Sequence, residues 1–284
     1  MIGFIGLGSI GLPIAKNLIS AGYSLKIHTK SRKSENHKEL KSAIPCSSPK
    51  ELVIGCSVVF ICVSDDKAIE EVLFSLDYGA YKNLEKDSTI VDLSTISPSK
   101  AKSNAKLLAR KKIHYIDGPI SGGTERAESG KLSIFLGCNE NFYNKIYKLI
   151  EVFASKIYLF DSVGKGQEVK LINQILVAGS YAAVAEAIAI GEKLNLKMDD
   201  VIKALETGAA SSWALSNRSR TMLKNEYPLG FKLSLHHKDL SIALDTASEL
   251  GIKLPITTKV KEIEEGLINK GYGNDDISVI RRAF

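Results

Sequence analysis

The chain is poor in the residues that staple or metallate small proteins. Its four cysteines, Cys46, Cys56, Cys62 and Cys138, form no C-x-x-C pair and no Cys/His cluster at metal spacing. Neither a disulfide framework nor a metal site is therefore expected. Cysteines beside apolar runs read as small buried hydrophobes, and a reducing, cytoplasmic setting is expected. No uninterrupted apolar run reaches the ~18 residues that cross a bilayer. The longest candidate, 175–190, is broken by Glu186 and reads as a buried helix. The N-terminal "MIGFIGLG" reads as a strand running into a glycine loop, not as a secretory leader. Strong charge is missing too: 38 basic against 32 acidic residues leave a formal +6, scattered apart from short groups such as "KSRK" and "RKK". That argues against nucleic-acid and membrane partners and suits a small anionic molecule. There is no internal repeat and no low-complexity stretch.

What is present is a change of period. With 44% hydrophobic residues among 284, there is material for more than one core. In the first half short β-rich runs alternate with helical stretches: "IGFI" (2–5), "SLKIH" (24–28), "SVVFICV" (57–63), "STIVDLS" (88–94), "IHYID" (113–117), "LSIFLG" (132–137) and "KIYLF" (156–160). Between them lie helices such as "KAIEEVLFSL" and "PSKAKSNAKLLARKK"; Ser97-Pro98 supplies a start signal for the latter. Strand-helix alternation predicts an open, mostly parallel sheet with helices on both faces. After about residue 163 the strands stop. A long helical pattern runs from Gly166 to about Asn195, apolar on more than one face and so expected to be buried by other helices. Helices over 199–207, 212–224, 234–250 and 255–269 follow.

"GLGSIG" (Gly6–Gly11) is a G-x-G-x-x-G that follows an apolar strand, opens a helix and is completed by a second strand within ~30 residues, the context that makes it a dinucleotide loop. Gly6 allows the tight turn, Gly8 lets the backbone approach a pyrophosphate, and Gly11 allows close helix–strand packing. The phosphates would sit on free N–H groups at Ser9, Ile10 and Gly11. The fold class expected is α/β: a Rossmann-type doubly wound parallel sheet over 1–163, then a long connecting helix opening an all-α domain over 164–284. NAD-binding loops carry an acid at the end of the second strand. Here that place reads "IHTKSRK", and the first acid, Glu35, lies well into the loop. Thr29, Lys30 and Arg32 could instead accept a 2′-phosphate, so NADP(H) is expected over NAD(H).

Further along come "CVSDD" (62–66), "DLSTISP" (92–98), "DGPISGGTERAESGKLSIFLG" (117–137), "GKGQEVKLINQ" (164–174) and "HHKDLSIAL" (236–244). With the glycine loop, these six motifs, in order and spacing, make the chain resemble the β-hydroxyacid dehydrogenase family, which includes 3-hydroxyisobutyrate dehydrogenase and tartronate semialdehyde reductase. The resemblance runs from residue 2 to about 257. It implies an NADP(H)-dependent oxidoreductase acting between a small carboxylate-bearing aldehyde and its hydroxy acid, and a homodimer or homotetramer.

By that resemblance Ser121, Gly122 and Gly123 bind the substrate carboxylate, and a two-glycine turn does expose donors to an anion. Val63, Ser64, Asp65 and Thr95 match positions near the cofactor's ribose and nicotinamide, Thr95 following a strand at the carboxyl edge. Lys170 matches the family's general acid/base. Asn173 and Gln174, at i+3 and i+4 on the same helix face, would orient substrate and lysine; many members have a second asparagine where this chain has Gln174. The face continues to Val177, expected to be buried. Lys238 matches a lysine that approaches the cofactor, with Asp239 beside it in a structural pairing. Ser212, Trp213 and Phe231 are candidates to line the substrate pocket. His236 and His237, adjacent on a helix, point in different directions and have no acid or cysteine cluster beside them in sequence. An imine reductase and a non-catalytic NADP-binding protein are the alternatives. Imine reductases usually lack the lysine on this helix, and the intact "SGG" and Lys170 count against a binding protein.

Overall fold

A computed structural model describes residues 1–284 in two compact units, Met1–Lys170 and Leu171–Phe284. The first unit opens with β1 (Ile2–Ile5), α1 (Gly11–Ser20), β2 (Leu25–His28) and the two-residue β3 (Ile44–Pro45). Then come α2 (Pro49–Leu52), β4 (Val58–Ile61), α3 (Asp66–Phe74), β5 (Thr89–Asp92), α4 (Pro98–Ala109) and β6 (His114–Asp117). It ends with β7 (Ile120–Ser121), α5 (Gly123–Glu128), β8 (Leu132–Gly137), α6 (Glu140–Ile150), β9 (Ala154–Phe160) and the start of α7 (Lys165–Lys193).

The strands form one sheet in the order β3-β2-β1-β4-β5-β6-β8-β7, with β9 also paired to β8. From β3 to β6 every pairing is parallel. Consecutive residues of these strands are buried on opposite faces, as a sheet covered on both sides requires. Phe4, Phe60 and Val91 join one core with Ile14 and Leu18 of α1 and Ile146 and Ile150 of α6. Ile5, Val59, Ile61 and Ile90 join the other with Ile69 and Leu73 of α3 and Leu108 of α4. The chain order reverses at β1, between β2 and β4, so the loops after β1, β4 and β5 open on one crevice at the strands' carboxyl ends, where such sheets bind ligands.

The expected parallel pattern breaks after β6. β8 runs antiparallel to β6 and β7, because the chain turns back through the short β7 and α5 instead of crossing over by a long helix. A two-residue strand has no periodicity to read, so neither β7 nor the reversal was visible in sequence.

The second unit continues α7 and adds α8 (Met198–Leu205), α9 (Trp213–Leu223), α10 (Leu233–Glu249) and α11 (Pro255–Asn269), followed by 3-10 turns to Ala283. By length and composition α7 could cross a membrane, yet Ala178, Tyr181, Val184, Ala185 and Ile188 lie in this unit's core with Leu240, Val260 and Leu267. It is not buried all round: Ile172, Leu176 and Ile190 face outward. Val177 is half-buried against the core. Three of the four cysteines are buried and none is paired; burial pushes the Cys62 thiol up to about 12 and the Cys138 thiol up to about 11, which makes both poor nucleophiles.

Candidate active site

The glycine loop shows why three of its residues carry no side chain. Gly6 has φ +97°, and a Cβ there would lie 2.1 Å from the Cys62 carbonyl oxygen. A Cβ on Gly11 would lie 1.9 Å from the Gly6 carbonyl oxygen. At Gly8 a Cβ would meet nothing within 4 Å, leaving the loop's outer side clear for a bulky ligand. Ile10 at the N-cap makes no side-chain capping bond and the first turn of α1 has no acid. Its positive end therefore stays available to an anion. These residues fit a dinucleotide's pyrophosphate. In the next loop Val63 N donates to Ser94 Oγ (2.9 Å). Asp65 caps α3 by accepting from Ala68 N (2.8 Å), and Ser64 Oγ donates to it (2.9 Å).

At the end of β2 the structure changes the sequence reading. Glu35 is not remote: a 3-10 turn over Ser34–Asn36 folds it back, and Oε1 accepts from Thr29 N at 2.9 Å. Its other oxygen lies 2.8 Å from Arg32 Nε. Lys30 pairs with Glu71 at the surface (2.8 Å).

The "SGG" turn begins on the last residue of β7, Ser121. Gly122 and Gly123 have φ +136° and +69°, the region open to glycine at little cost, so the turn needs both. Lys170, 7% exposed, donates from Nζ to the Ile120 carbonyl oxygen at 2.8 Å. Buried lysine and two-glycine turn are thus neighbours within one unit. A set of residues that the sequence reading passed over places this helix start. Asp117, fully buried at the end of β6, accepts from Gly164 N (2.8 Å) and Gln167 N (2.9 Å). A Cβ on Gly166 would lie 2.2 Å from the Phe135 carbonyl oxygen, so only glycine lets α7 begin there.

Gln167 brackets Thr95. Its Oε1 accepts from Ile96 N (3.2 Å) and its Nε2 donates to the Ser94 carbonyl oxygen (2.8 Å). Asp92, beside Asp117 in the strand register, accepts from Ser94 N (3.0 Å) and Tyr115 Oη (2.6 Å). Burial pushes both carboxyls up to about 6, against the hydrogen bonds that favour their ionised forms.

In the second unit Asn173 donates to Gln174 Oε1 (2.7 Å), and Gln174 Nε2 donates to Asp239 Oδ2 (2.7 Å). Lys238 Nζ lies 2.7 Å from Asp239 Oδ1. Gln174 is buried with both ends of its amide engaged, so it acts on Asn173 and Asp239 before it can act on a substrate. His236 is not without an acid: Glu264 of α11 lies 2.6 Å from its Nδ1, both side chains fully buried. Burial lowers the basicity of His237. No group of three potential metal ligands occurs in the chain.

Ser212 caps α9 by accepting from Leu215 N (3.0 Å). Trp213, 46% exposed, opens that helix with the Arg218 guanidinium 4.7 Å from its ring centroid. Phe231 meets His236 edge-on at 5.8 Å, and its N–H donates to Asp276 Oδ2 (2.9 Å). A shallow groove between α3 and α4, lined by Asp66, Lys67, Glu70, Phe74 and Lys100, holds none of the expected site residues.

The whole chain has known counterparts. Residues 1–162 match the family described as the NAD binding domain of 6-phosphogluconate dehydrogenase. Residues 164–284 match the family described as NAD-binding of NADP-dependent 3-hydroxyisobutyrate dehydrogenase. The 2-hydroxy-3-oxopropionate reductase of Escherichia coli (strain K12) is 36% identical over 100% of this chain and 96% of its own. The 2-(hydroxymethyl)glutarate dehydrogenase of Eubacterium barkeri is 31% identical over 100% and 94%. A solved 3-hydroxyisobutyrate dehydrogenase from Salmonella typhimurium superposes with a TM-score of 0.86 at 26% identity, covering 100% of this chain and 99% of that one. The chain belongs to the β-hydroxyacid dehydrogenase family. It is an NAD(P)-dependent oxidoreductase of CH–OH groups.

Proposed function

We propose that the protein interconverts a small carboxylate-bearing aldehyde and its hydroxy acid with NADP(H), Lys170 serving as general acid/base. The observation that carries this reading is the buried Lys170 ammonium 2.8 Å from the Ile120 carbonyl, one residue before Ser121. A lysine out of water is costly unless it is put to use.

When bound, the nicotinamide supplies the hydride that attacks the aldehyde carbon. Ser121 Oγ and the Gly122 and Gly123 amides hold the carboxylate, and Lys170 as the ammonium gives its proton to the developing alkoxide. Oxidation runs in reverse, neutral Lys170 taking the hydroxyl proton. Thr95, whose flanking backbone Gln167 holds, and Val63, Ser64 and Asp65 would border the cofactor. By the family resemblance Asn173, hydrogen-bonded to Gln174, is assigned to orienting the substrate, Lys238 to the cofactor, and Trp213 and Phe231 to the substrate pocket. The substrate class is a semialdehyde or glyoxylate, since two relatives act on 2-hydroxy-3-oxopropionate and 2-(hydroxymethyl)glutarate. Preference for NADP rests on Thr29, Lys30 and Arg32 and on the absence of an exposed acid at the end of β2. Unpaired cysteines fit a reducing cytoplasm, and the outward apolar residues of α7 fit a homo-oligomer.

Initial rates of NADPH oxidation with a panel of semialdehydes and glyoxylate test the reading. Lys170→Ala is expected to lower kcat at least about 100-fold while NADPH binds within about twofold of wild type. Near-normal turnover in that variant would overturn the assignment of Lys170.

A further inference from the structure

We propose that Glu35 selects the cofactor: from beneath the end of β2 it fixes the Arg32 guanidinium so that its outer edge meets a 2′-phosphate. The proposal rests on the NADPH reading above and adds to it a residue that touches neither cofactor nor substrate.

Arg32 closes a turn, its N–H donating to the Thr29 carbonyl oxygen at 3.0 Å, and it does so at φ +60°. A long side chain adopts that conformation only where its surroundings hold it. Here two contacts do so. Glu35 Oε2 lies 2.8 Å from Arg32 Nε, and Arg32 Nη1 donates to the Cys46 carbonyl oxygen at 3.0 Å. Two of the three guanidinium nitrogens are thereby tied, while the side chain remains 48% exposed.

The base beneath is itself fixed. His28 Nδ1 lies 2.9 Å from the same Cys46 carbonyl, which can only accept, so Nδ1 carries a proton, and Nε2 is hydrogen-bonded with Tyr78 Oη. The Cys46 carbonyl thus receives both His28 and Arg32.

An acid that reads an NAD ribose must show its oxygens to the diol. The Glu35 side chain is 4% exposed, with one oxygen on Thr29 N and the other on Arg32, so it serves as a strut. Lys30, whose side chain is 78% exposed and paired with Glu71 on the surface, is a solvent-screened cation by comparison.

The sign of the effect distinguishes this role from plain electrostatics. As a bare negative charge near a phosphate, Glu35 would weaken NADPH binding, and its removal would tighten it. As a strut its removal weakens NADPH binding, because Arg32 already neutralises the carboxylate and only the fixed geometry is lost.

The test is direct titration of NADPH and NADH, by nucleotide fluorescence, on the full chain. Glu35→Gln can keep the Thr29 contact but turns an N–H toward Arg32. It is expected to raise the NADPH Kd about tenfold and leave the NADH Kd within twofold. Arg32→Lys keeps the charge, loses the fork, and is expected to do the same; it carries the test should Glu35→Gln fail to fold. Tighter or unchanged NADPH binding in the folded variants would overturn the proposal, as would parallel losses for both nucleotides. Arg32→Ala and the wild-type preference address the underlying reading: equal affinities in wild type, or no loss of preference in Arg32→Ala, sink the NADPH assignment itself.

Discussion

Gly8 and Gly11 stand three residues apart in one loop, yet an added methyl group should separate them completely. At Gly11 it has nowhere to go, its Cβ falling 1.9 Å from the Gly6 carbonyl oxygen. Gly11→Ala is therefore expected to destabilise the protein by about 2 kcal/mol even without nucleotide, the usual scale for forced backbone shifts. At Gly8 the methyl group meets open space, so Gly8→Ala should melt like wild type alone but lose most of the stabilisation that NADPH confers. Thermal melts with and without NADPH check both. A full NADPH-dependent gain in Gly8→Ala would mean that the pyrophosphate does not lie on this loop. The glycine loop was legible in sequence because each glycine answers a local steric demand. Glu35, Gln167 and Asp117 were not, since each acts on backbone that the turns of the fold bring to it: Glu35 from six residues away, Gln167 from about 70 residues away. Nothing in composition or period announces such a contact.

The elements themselves were readable, and the reason is visible in the core. β1 and β4 are apolar throughout, and β5 at its centre (Ile90, Val91), because both faces are covered, and the helices between them carry one apolar stripe each. α5 and β7 escaped because six residues and two residues are too short to show a period. What the fold adds is a buried pair of acids at the joint between sheet and α7. Asp92 and Asp117 face each other in register, and burial pushes both up to about 6 from an ordinary value of 3.8. A carboxyl raised on folding favours the protonated native state. Its contribution is therefore most favourable below about pH 4 and is lost as pH rises through about 6. For one such carboxyl the loss amounts to about 3 kcal/mol at neutral pH. Asp92→Asn can still accept from Ser94 N and meet the Tyr115 hydroxyl. Relative to wild type it should gain stability between about pH 4 and about pH 7, by up to that amount. Denaturant titrations at both pH values measure the difference, and a constant offset would show that Asp92 does not titrate in this window.

In the molecule as a whole, α7 carries an apolar stripe outside the core. A helix rich in Ala, Ile and Leu on several faces was expected to be buried by its neighbours, yet only one side enters the core of the second unit. Ile172, Leu176 and Ile190 remain 60%, 68% and 63% exposed, and Ala183 and Ala187 continue the stripe between them at helical spacing. Scattered exposed hydrophobes need no explanation, but a row along one helix is the kind of surface that a partner molecule covers. A second copy of the chain would satisfy it by laying the same stripe against itself, as isologous dimers do. Light scattering is expected to give a multiple of the 30.9 kDa chain mass. Leu176→Lys combined with Ile190→Lys should reduce it to a single chain. Charges at positions exposed in the lone chain disturb its own fold by no more than about 0.5 kcal/mol, so NADPH binding should survive dissociation. An unchanged assembly in the double variant would place the interface elsewhere. A wild-type protein that scatters as one chain would leave the stripe with no copy to cover it.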